Sequence, residues 1–163
     1  MAPNSTSLTV AAAISILASG WAAGIGASFS VLGIPSIINA GASSEVMVRQ
    51  WRIQFVRGQA IVPTLGVLNA INYWHVAYRC WSHGLEWREF AAAGLSTFFI
   101  VPYTLTFIMG VNGKLLAASE KREKTLSDDA ARSLIKKWGD LNIVRAVAPV
   151  VGTGLALWNL CLS

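Results

Sequence analysis

The last apolar stretch of the chain, residues 138–159, constrains the fold more than any other segment. It is long enough to cross a membrane as an α-helix, yet it contains Arg145, and residues 146–163 add no further charge. A guanidinium at membrane depth is costly unless it pairs, reaches the interface or faces a polar cavity. On an α-helix, seven aromatic, amide, guanidinium and small residues fall on one stripe, namely Trp138, Asn142, Arg145, Pro149, Gly152, Ala156 and Asn159. We therefore expect this stripe to face a pocket shared with other helices.

The composition is that of a polytopic membrane protein. Hydrophobic residues make up 54% of the 163 residues and charged residues only 13%, whereas soluble domains are about a quarter charged. The apolar runs predict an all-α fold, a four-transmembrane-helix bundle with an amphipathic segment before the second span and a charged cytosolic helix or loop before the fourth. Residues 1–163 form a single integral membrane domain in this prediction, with spans near 8–34, 58–80, 90–111 and 141–162.

The basic residues follow the predicted topology. Most Lys and Arg residues lie in the connections before the second and fourth spans, and the opposite side has only Arg79 and Arg88. The positive-inside bias therefore predicts that the first and third connections are cytosolic and that both termini are lumenal, in the endoplasmic reticulum or another endomembrane. The net charge of +5 then reflects orientation in a lipid bilayer, and no nucleic-acid partner is expected. Residues 1–7 lack the basic region of a signal peptide, so we expect the first span to be retained.

A polar strip runs along the second span. Asn69, Asn72, His75 and Arg79 lie towards one side of a helix, and such a strip on an apolar span implies an inward face. The two asparagines are deeper and are the better candidates for a pocket, whereas His75 fits either an interfacial position or a site. Near the end of the first span, Ser30 fits either helix packing or contact with a ligand at one mouth of the bundle.

The sequence lacks the motifs of common metal and cofactor sites. It has two His and two Cys residues without metal-ligand spacing, no G-x-G-x-x-G, no Walker loop and no G-x-S-x-G. No Asp or Glu lies within a predicted span, which argues against a proton- or cation-coupled transporter. The remaining amides, guanidinium groups and aromatic rings can bind a flat, oxygenated organic molecule and stabilise an enolate or phenolate. We therefore predict no metal and no cofactor.

Motifs in the second half of the chain resemble those of a known family. They are carried by three groups of residues, namely Pro102-Tyr103-Thr104, Asn112 with Leu115, and Trp138 with Asn142 and Arg145. The pattern P-x-T, N-x-x-L and W-x-x-x-(N/H)-x-x-R is similar to that of the small four-helix membrane family, formerly of unknown function, that includes the fungal anthrone oxygenases. The first half of the chain resembles this family only in layout.

This resemblance implies a cofactor-independent monooxygenase of secondary-metabolite biosynthesis, which converts an anthrone-like aromatic polyketide to the anthraquinone type with O₂. It implies that Arg145, Asn142 and Asn112 stabilise the oxyanion of the deprotonated substrate, and that Trp138 stacks on its ring. Relatives often have His where this chain has Asn142, so His75 or a water molecule would accept the proton. The other predicted substrate-binding residues are Asn72, Asn69, Tyr103 and Thr104.

Two other functions stay open at this point. A cyclase or isomerase on the same scaffold would use the same oxyanion-binding groups on another biosynthetic intermediate, without consuming O₂. A non-enzymatic membrane scaffold protein would use the polar stripe for association alone. Four short spans enclose little volume around a large ligand, so a homo-oligomer is expected as readily as a monomer.

Overall fold

The computed structural model describes residues 5–120 and 126–162, and every regular element among them is helical. The helices are α1 (Ser5–Ser28), α2 (Ile34–Asn39), α3 (Ser44–Ser82), α4 (Arg88–Phe98), α5 (Ile100–Tyr103), α6 (Met109–Ser119) and α7 (Asp128–Leu162). Two π-helical segments, Phe29–Gly33 and Thr104–Ile108, join α1 to α2 and α5 to α6. The all-α prediction is confirmed for this part of the chain. Residues 121–125 of the predicted charged segment lie outside the described residues.

Within residues 5–120 and 126–162, three helical stretches are long and apolar enough to cross a membrane, namely Thr6–Asn39, Arg88–Ser119 and Asp128–Cys161. They contain the predicted first and third spans and residues 141–161 of the predicted fourth span. The predicted second span lies on α3, which is not among the three. Its polar strip, together with Gln59 at its start, lowers its apolar content. The count of four spans therefore stays a prediction.

Helix α3 is continuous from Ser44 to Ser82, so the predicted amphipathic segment and second span are one helix. It ends in a Schellman motif, in which Leu85 N–H donates to Cys80 O at 2.9 Å and Gly84 N–H donates to Trp81 O at 3.1 Å. Gly84 has a φ of 71°, which glycine adopts without steric strain. The helix thus stops at this turn.

Pro102 interrupts the helical stretch that contains the third span. Proline has no N–H to donate to the preceding turn, and α4 ends at Phe98, shortly before it. The α-helix resumes after the second π segment and continues past the predicted end of the span, residue 111, to Ser119. Leu115 in this extension is completely buried, so its packing holds the extra turns in place.

Packing divides the chain into two compact units. The first comprises Met1–Gly24, Pro63–Val101 and Ala146–Ser163, and the second comprises Ile25–Val62 and Pro102–Arg145. Each unit has its own buried cluster of apolar residues among the described part of the chain. The prediction of a single domain over residues 1–163 is not tested by this division and stays a prediction.

In the first unit, small residues allow helices to approach closely. A Cβ added at Gly152 of α7 would lie 3.0 Å from both the Ala93 carbonyl oxygen and Thr97 Oγ1 of α4. The adjoining cluster includes the fully buried Tyr73 and Phe90. Helices α4 and α7 therefore approach so closely that a side chain at position 152 would require the neighbouring atoms of α4 to shift.

In the second unit, Met47, Leu115 and Ile135 are completely buried in one cluster. Polar contacts connect the ends of its helices. Ser44 N–H donates to Asp128 Oδ1 at 2.6 Å, and Arg132 Nη1 donates to Ile38 O, near the end of α2, at 2.6 Å. These bonds satisfy backbone groups that helix ends leave without intrahelical partners.

Candidate functional site

Asn142 on α7 has a completely buried side chain that makes three hydrogen bonds. Its Nδ2 donates to Gly26 O of α1 at 2.8 Å and to Ser30 Oγ of the first π segment at 3.2 Å. Its Oδ1 accepts a hydrogen bond from Arg145 Nη2 at 2.5 Å. Asn142 and Arg145 can meet because residues three apart on a helix share a face. The amide therefore links the guanidinium of α7 to the first π segment.

Arg145 is partly buried and has no ion-pair partner among residues 5–120 and 126–162. Tyr103 interacts with it electrostatically, and the Tyr103 hydroxyl donates to Leu141 O at 3.3 Å. Thr104 follows as the first residue of the second π segment. The structure thus places Asn142 and Tyr103 beside the Arg145 guanidinium, which is held by the Asn142 amide.

Two predicted site residues, Trp138 and Asn112, contact one another. Trp138 Nε1 donates to Asn112 Oδ1 at 2.9 Å, and the Trp138 side chain is 3% exposed. Its ring meets Trp51 edge-on, with centroids 5.9 Å apart. Trp51 itself is completely buried in the core of the unit. Stacking of Trp138 on a ligand stays a prediction.

The predicted site residues of α3 lie in the first unit. Asn69 Nδ2 donates to Ser19 Oγ at 2.6 Å, and Asn72 Nδ2 donates to Ser15 Oγ at 2.7 Å. Both amides therefore tie α3 to α1 through side-chain hydrogen bonds. His75 is exposed on the same helix. The ligand-binding role of the two asparagines and the proton-accepting role of His75 stay predictions.

A cleft of about 340 Å³ lies between α2 and α7 in the second unit. Its walls include Ile34, Ile38 and Ile143, with Ser30 as a polar wall residue. Arg145 and Asn142 are not in its lining, so the stripe predicted from the sequence does not itself border this cleft. Ser30 connects the stripe to the cleft, because it lines the cleft and accepts a hydrogen bond from Asn142. The only sequence signal for Ser30 is its position near the end of a span rich in small residues.

Within the described ranges 5–120 and 126–162, no group of three or more His, Cys, Asp or Glu side chains is placed to hold a metal ion. The polar groups near Arg145 are amides and hydroxyls. Such groups orient and stabilise oxygen-containing organic molecules through hydrogen bonds. The arrangement is therefore chemically suited to an oxyanion.

Comparisons with known proteins extend this description. The family model described as anthrone oxygenase matches residues 51–155. The chain is 30% identical over 136 residues to Monooxygenase hypC of Dothistroma septosporum, which covers 82% of this chain and 74% of that protein. It is 28% identical over 151 residues to Noranthrone monooxygenase of Aspergillus flavus, with 91% and 72% covered, and 26% identical over 163 residues to Anthrone oxygenase AgnL2 of Paecilomyces divaricatus, with 94% and 99% covered. No solved structure matches the chain.

The matched region contains the motifs around Pro102, Asn112 and Trp138, and it includes Asn142 with Arg145. It covers more than half of the chain. The alignments with the relatives cover most of the chain at modest identity. The protein is therefore an oxygenase that belongs to the anthrone oxygenase family.

Proposed function

We propose that this protein is a membrane-embedded, cofactor-independent oxygenase that converts an anthrone-type aromatic polyketide to the corresponding quinone with O₂. The family and the names of the relatives support the substrate class. The observation that carries the mechanism is the Arg145 guanidinium, held by Asn142 and without an ion-pair partner in the described part of the chain. Such a cation can stabilise negative charge that develops on a substrate oxygen.

The proposed membrane arrangement has four spans, in which residues 58–80 of α3, the predicted second span, join the three apolar stretches described above. Ile61, Leu68 and Ile71 on this segment are 47%, 59% and 54% exposed, so lipid can cover them. The side-chain amides of Asn69 and Asn72 on the same segment face α1, where they donate hydrogen bonds to serine hydroxyls. The distribution of basic residues supports cytosolic first and third connections and lumenal termini, in the endoplasmic reticulum or another endomembrane.

The reaction needs no cofactor because the substrate supplies the electrons. Loss of one proton from the central methylene of an anthrone gives an aromatic, phenolate-type anion. This anion transfers one electron to O₂, and recombination of the two radicals forms a C–O bond and a peroxide. Protonation of the peroxide, loss of the second methylene hydrogen as a proton and cleavage of the O–O bond give a carbonyl group and water. O₂ is the sole oxidant, since one oxygen atom enters the quinone and the other leaves as water.

The protein then has three tasks, which are to hold the ring, to stabilise the anion and to exclude water. Arg145 and Asn142 oppose the negative charge on the substrate oxygen. Asn112 takes part in this polar environment and orients Trp138 through the indole N–H. His75 or a water molecule accepts the proton.

The test is the replacement Arg145→Ala, with O₂ uptake and anthrone consumption measured in membranes that contain the full chain. We expect a loss of about 10²-fold or more in kcat, which is the usual effect of removing a group that stabilises an oxyanion. Arg49→Ala is the matched control, because Arg49 is an exposed arginine on α3. Unchanged turnover of Arg145→Ala at equal protein levels would remove Arg145 from the mechanism.

The same assay separates the other candidate functions. A cyclase or isomerase would convert its substrate without O₂ uptake, and a scaffold protein would consume neither anthrone nor O₂. Incorporation of one ¹⁸O atom from ¹⁸O₂ into the quinone is the result expected of the oxygenase. Quinone formed without this label would contradict the proposed reaction.

A further inference from the structure

The cleft between α2 and α7 has the properties of a small-molecule site. Its volume of about 340 Å³ falls within the range of about 300–1,000 Å³ that is typical of ligand pockets. Ile34, Ile38 and Ile143 provide apolar walls, and the polar lining residues are Ser30, Asn39, Lys136 and Asp140. A flat ring system can fill such a space and leave its oxygen atoms for the polar groups.

Close packing determines the shape of this cleft. Gly139 of α7 lines it, and a Cβ added there would lie 3.1 Å from Ile34 Cγ1 of α2. At its rim, Lys136 and Asp140 form an exposed ion pair, with Nζ and Oδ2 3.5 Å apart. The cleft thus has a polar rim, an apolar wall and little room for larger side chains.

Ser30 connects the cleft to the positive charge of Arg145. The guanidinium donates to Asn142 Oδ1, and Asn142 Nδ2 donates to Ser30 Oγ. A serine hydroxyl that accepts a hydrogen bond still has its own proton to donate, and that proton has no acceptor among the described residues. Hydrogen bonds in series polarise one another, so the guanidinium makes Ser30 a stronger donor.

We propose that this cleft binds the ring system of the planar aromatic substrate and that Ser30 is a catalytic residue, which donates a hydrogen bond to the substrate oxyanion. Arg145 and Asn142 act through Ser30 as positioning residues. This inference rests on the proposed function and deepens it, because it assigns the ring and the oxyanion to particular contacts. Complementarity supports this occupant, because the ring meets the isoleucine walls and its anionic oxygen meets the polarised Ser30 hydroxyl, while the Asp140 carboxylate at the rim is paired with Lys136.

The first test replaces Ser30 with Ala and measures kcat and KM for anthrone oxidation in membranes. We expect kcat to fall by about 10²-fold with KM nearly unchanged, because the donor acts on the charge of the anion. Ser30→Thr retains a hydroxyl and is expected to restore most of the turnover. The control is Ser28→Ala, because Ser28 is exposed and donates to Ile25 O of its own helix. Wild-type kcat in Ser30→Ala would overturn the assignment of Ser30.

The second test measures binding of anthraquinone-2-sulfonate, a water-soluble planar probe, to the detergent-solubilised full chain by calorimetry. Ile143→Trp fills the cleft and is expected to weaken binding by tenfold or more. Val144→Trp is the control, because Val144 is 48% exposed on the same helix and does not line the cleft. Equal affinities in the two variants would overturn the cleft as the ring-binding site.

The two proposals fail in different ways. A wild-type protein that consumes no anthrone under O₂ would overturn the proposed function and the catalytic role of Ser30, while the probe still tests the cleft. Wild-type oxidation of anthrone that is unaffected by Ser30→Ala and Ile143→Trp would leave the proposed function intact and overturn the inference made from the cleft.

Discussion

The most informative perturbation is Asn142→Leu, which removes a buried carboxamide with little change in side-chain size. The substitution deletes the hydrogen bonds to Gly26 O and Ser30 Oγ and takes the acceptor away from Arg145. Leucine cannot replace any of these contacts. The variant therefore tests both the stability of the site and the connection between the guanidinium and the cleft.

The three lost bonds give the expected magnitude. Hydrogen bonds between membrane helices contribute about 0.6 kcal/mol on average, and a bond to a charged group contributes about 1.5–3 kcal/mol. Two bonds of the first kind and one of the second give a loss of about 3–4 kcal/mol for Asn142→Leu. Asn69→Leu is the matched comparison, since Asn69 donates to Ser15 O and Ser19 Oγ without contacting a guanidinium. We expect it to lose only about 1 kcal/mol.

The assay is equilibrium unfolding in mixed micelles with increasing sodium dodecyl sulfate, followed by the fluorescence of the seven tryptophans. The free energy of unfolding should fall by about 3–4 kcal/mol for Asn142→Leu and about 1 kcal/mol for Asn69→Leu. Equal losses of about 1 kcal/mol in both variants would refute the reasoning, because Asn142 would then not hold Arg145 in the folded protein.

Asn142→Asp tests the donor role of the amide. The carboxylate still accepts from Arg145, but it donates neither to Ser30 Oγ nor to Gly26 O. We expect a loss of stability, because a carboxylate oxygen then faces the Gly26 carbonyl oxygen, and, at equal protein levels, a loss of turnover comparable to that of Ser30→Ala. Wild-type turnover of Asn142→Asp would show that the bond to Ser30 has no part in the reaction.

Three further substitutions test helix packing and capping within the two units. Asn112→Leu leaves the buried Trp138 indole N–H without its acceptor and should lower the free energy of unfolding by about 1–3 kcal/mol in the same assay. Gly152→Val should lower it by about 1–3 kcal/mol through overpacking against α4, whereas Gly154→Val, with no atom within 4 Å of its added Cβ, should change it little. Arg132→Met removes the donor to the end of α2, and faster hydrogen exchange of α2 amides should reveal it. Unchanged exchange would contradict this capping role.

Helical periodicity predicted the buried face of the last helix well. Asn142, Pro149 and Ala156 are completely or almost completely buried, and Arg145 is the one member of the stripe in the partly buried class. This success follows from geometry, because the face that a residue occupies on an α-helix depends only on its position. The same pattern carries no information about which neighbouring helix covers each part of the face.

The region around Trp51 shows where such patterns become ambiguous. An amphipathic helix with basic and aromatic residues suits a membrane surface, but it equally suits a protein core with a charged outer face. In the structure Arg49 is exposed, while Trp51 is buried against Trp138. The sequence separates the two faces of the helix correctly, and only tertiary packing determines whether the aromatic face meets lipid or protein.

The amides of α3 illustrate a related limit. An inward direction for Asn69 and Asn72 follows from the cost of leaving an amide in lipid. Their partners, the serine hydroxyls of α1, depend on the register between two helices about 50 residues apart in the chain. A polar strip in a span therefore predicts that hydrogen bonds form, but it does not distinguish helix packing from ligand binding.

The sequence alone does not predict the role of Ser30, because the position of this residue depends on a local departure from the α-helix. It lies in the π segment Phe29–Gly33, where the helix cap bond runs from Ile34 N–H to Phe29 O. Such wider turns change which residues face a neighbour, and they occur frequently at functional sites. A projection on an ideal α-helix therefore cannot relate Ser30 to Asn142. The π segment, the buried Asn142 amide and the cleft are each compatible with ordinary helix packing. Only their combination at Ser30 indicates a binding site, because the hydrogen bond from Asn142 to Ser30 Oγ joins all three.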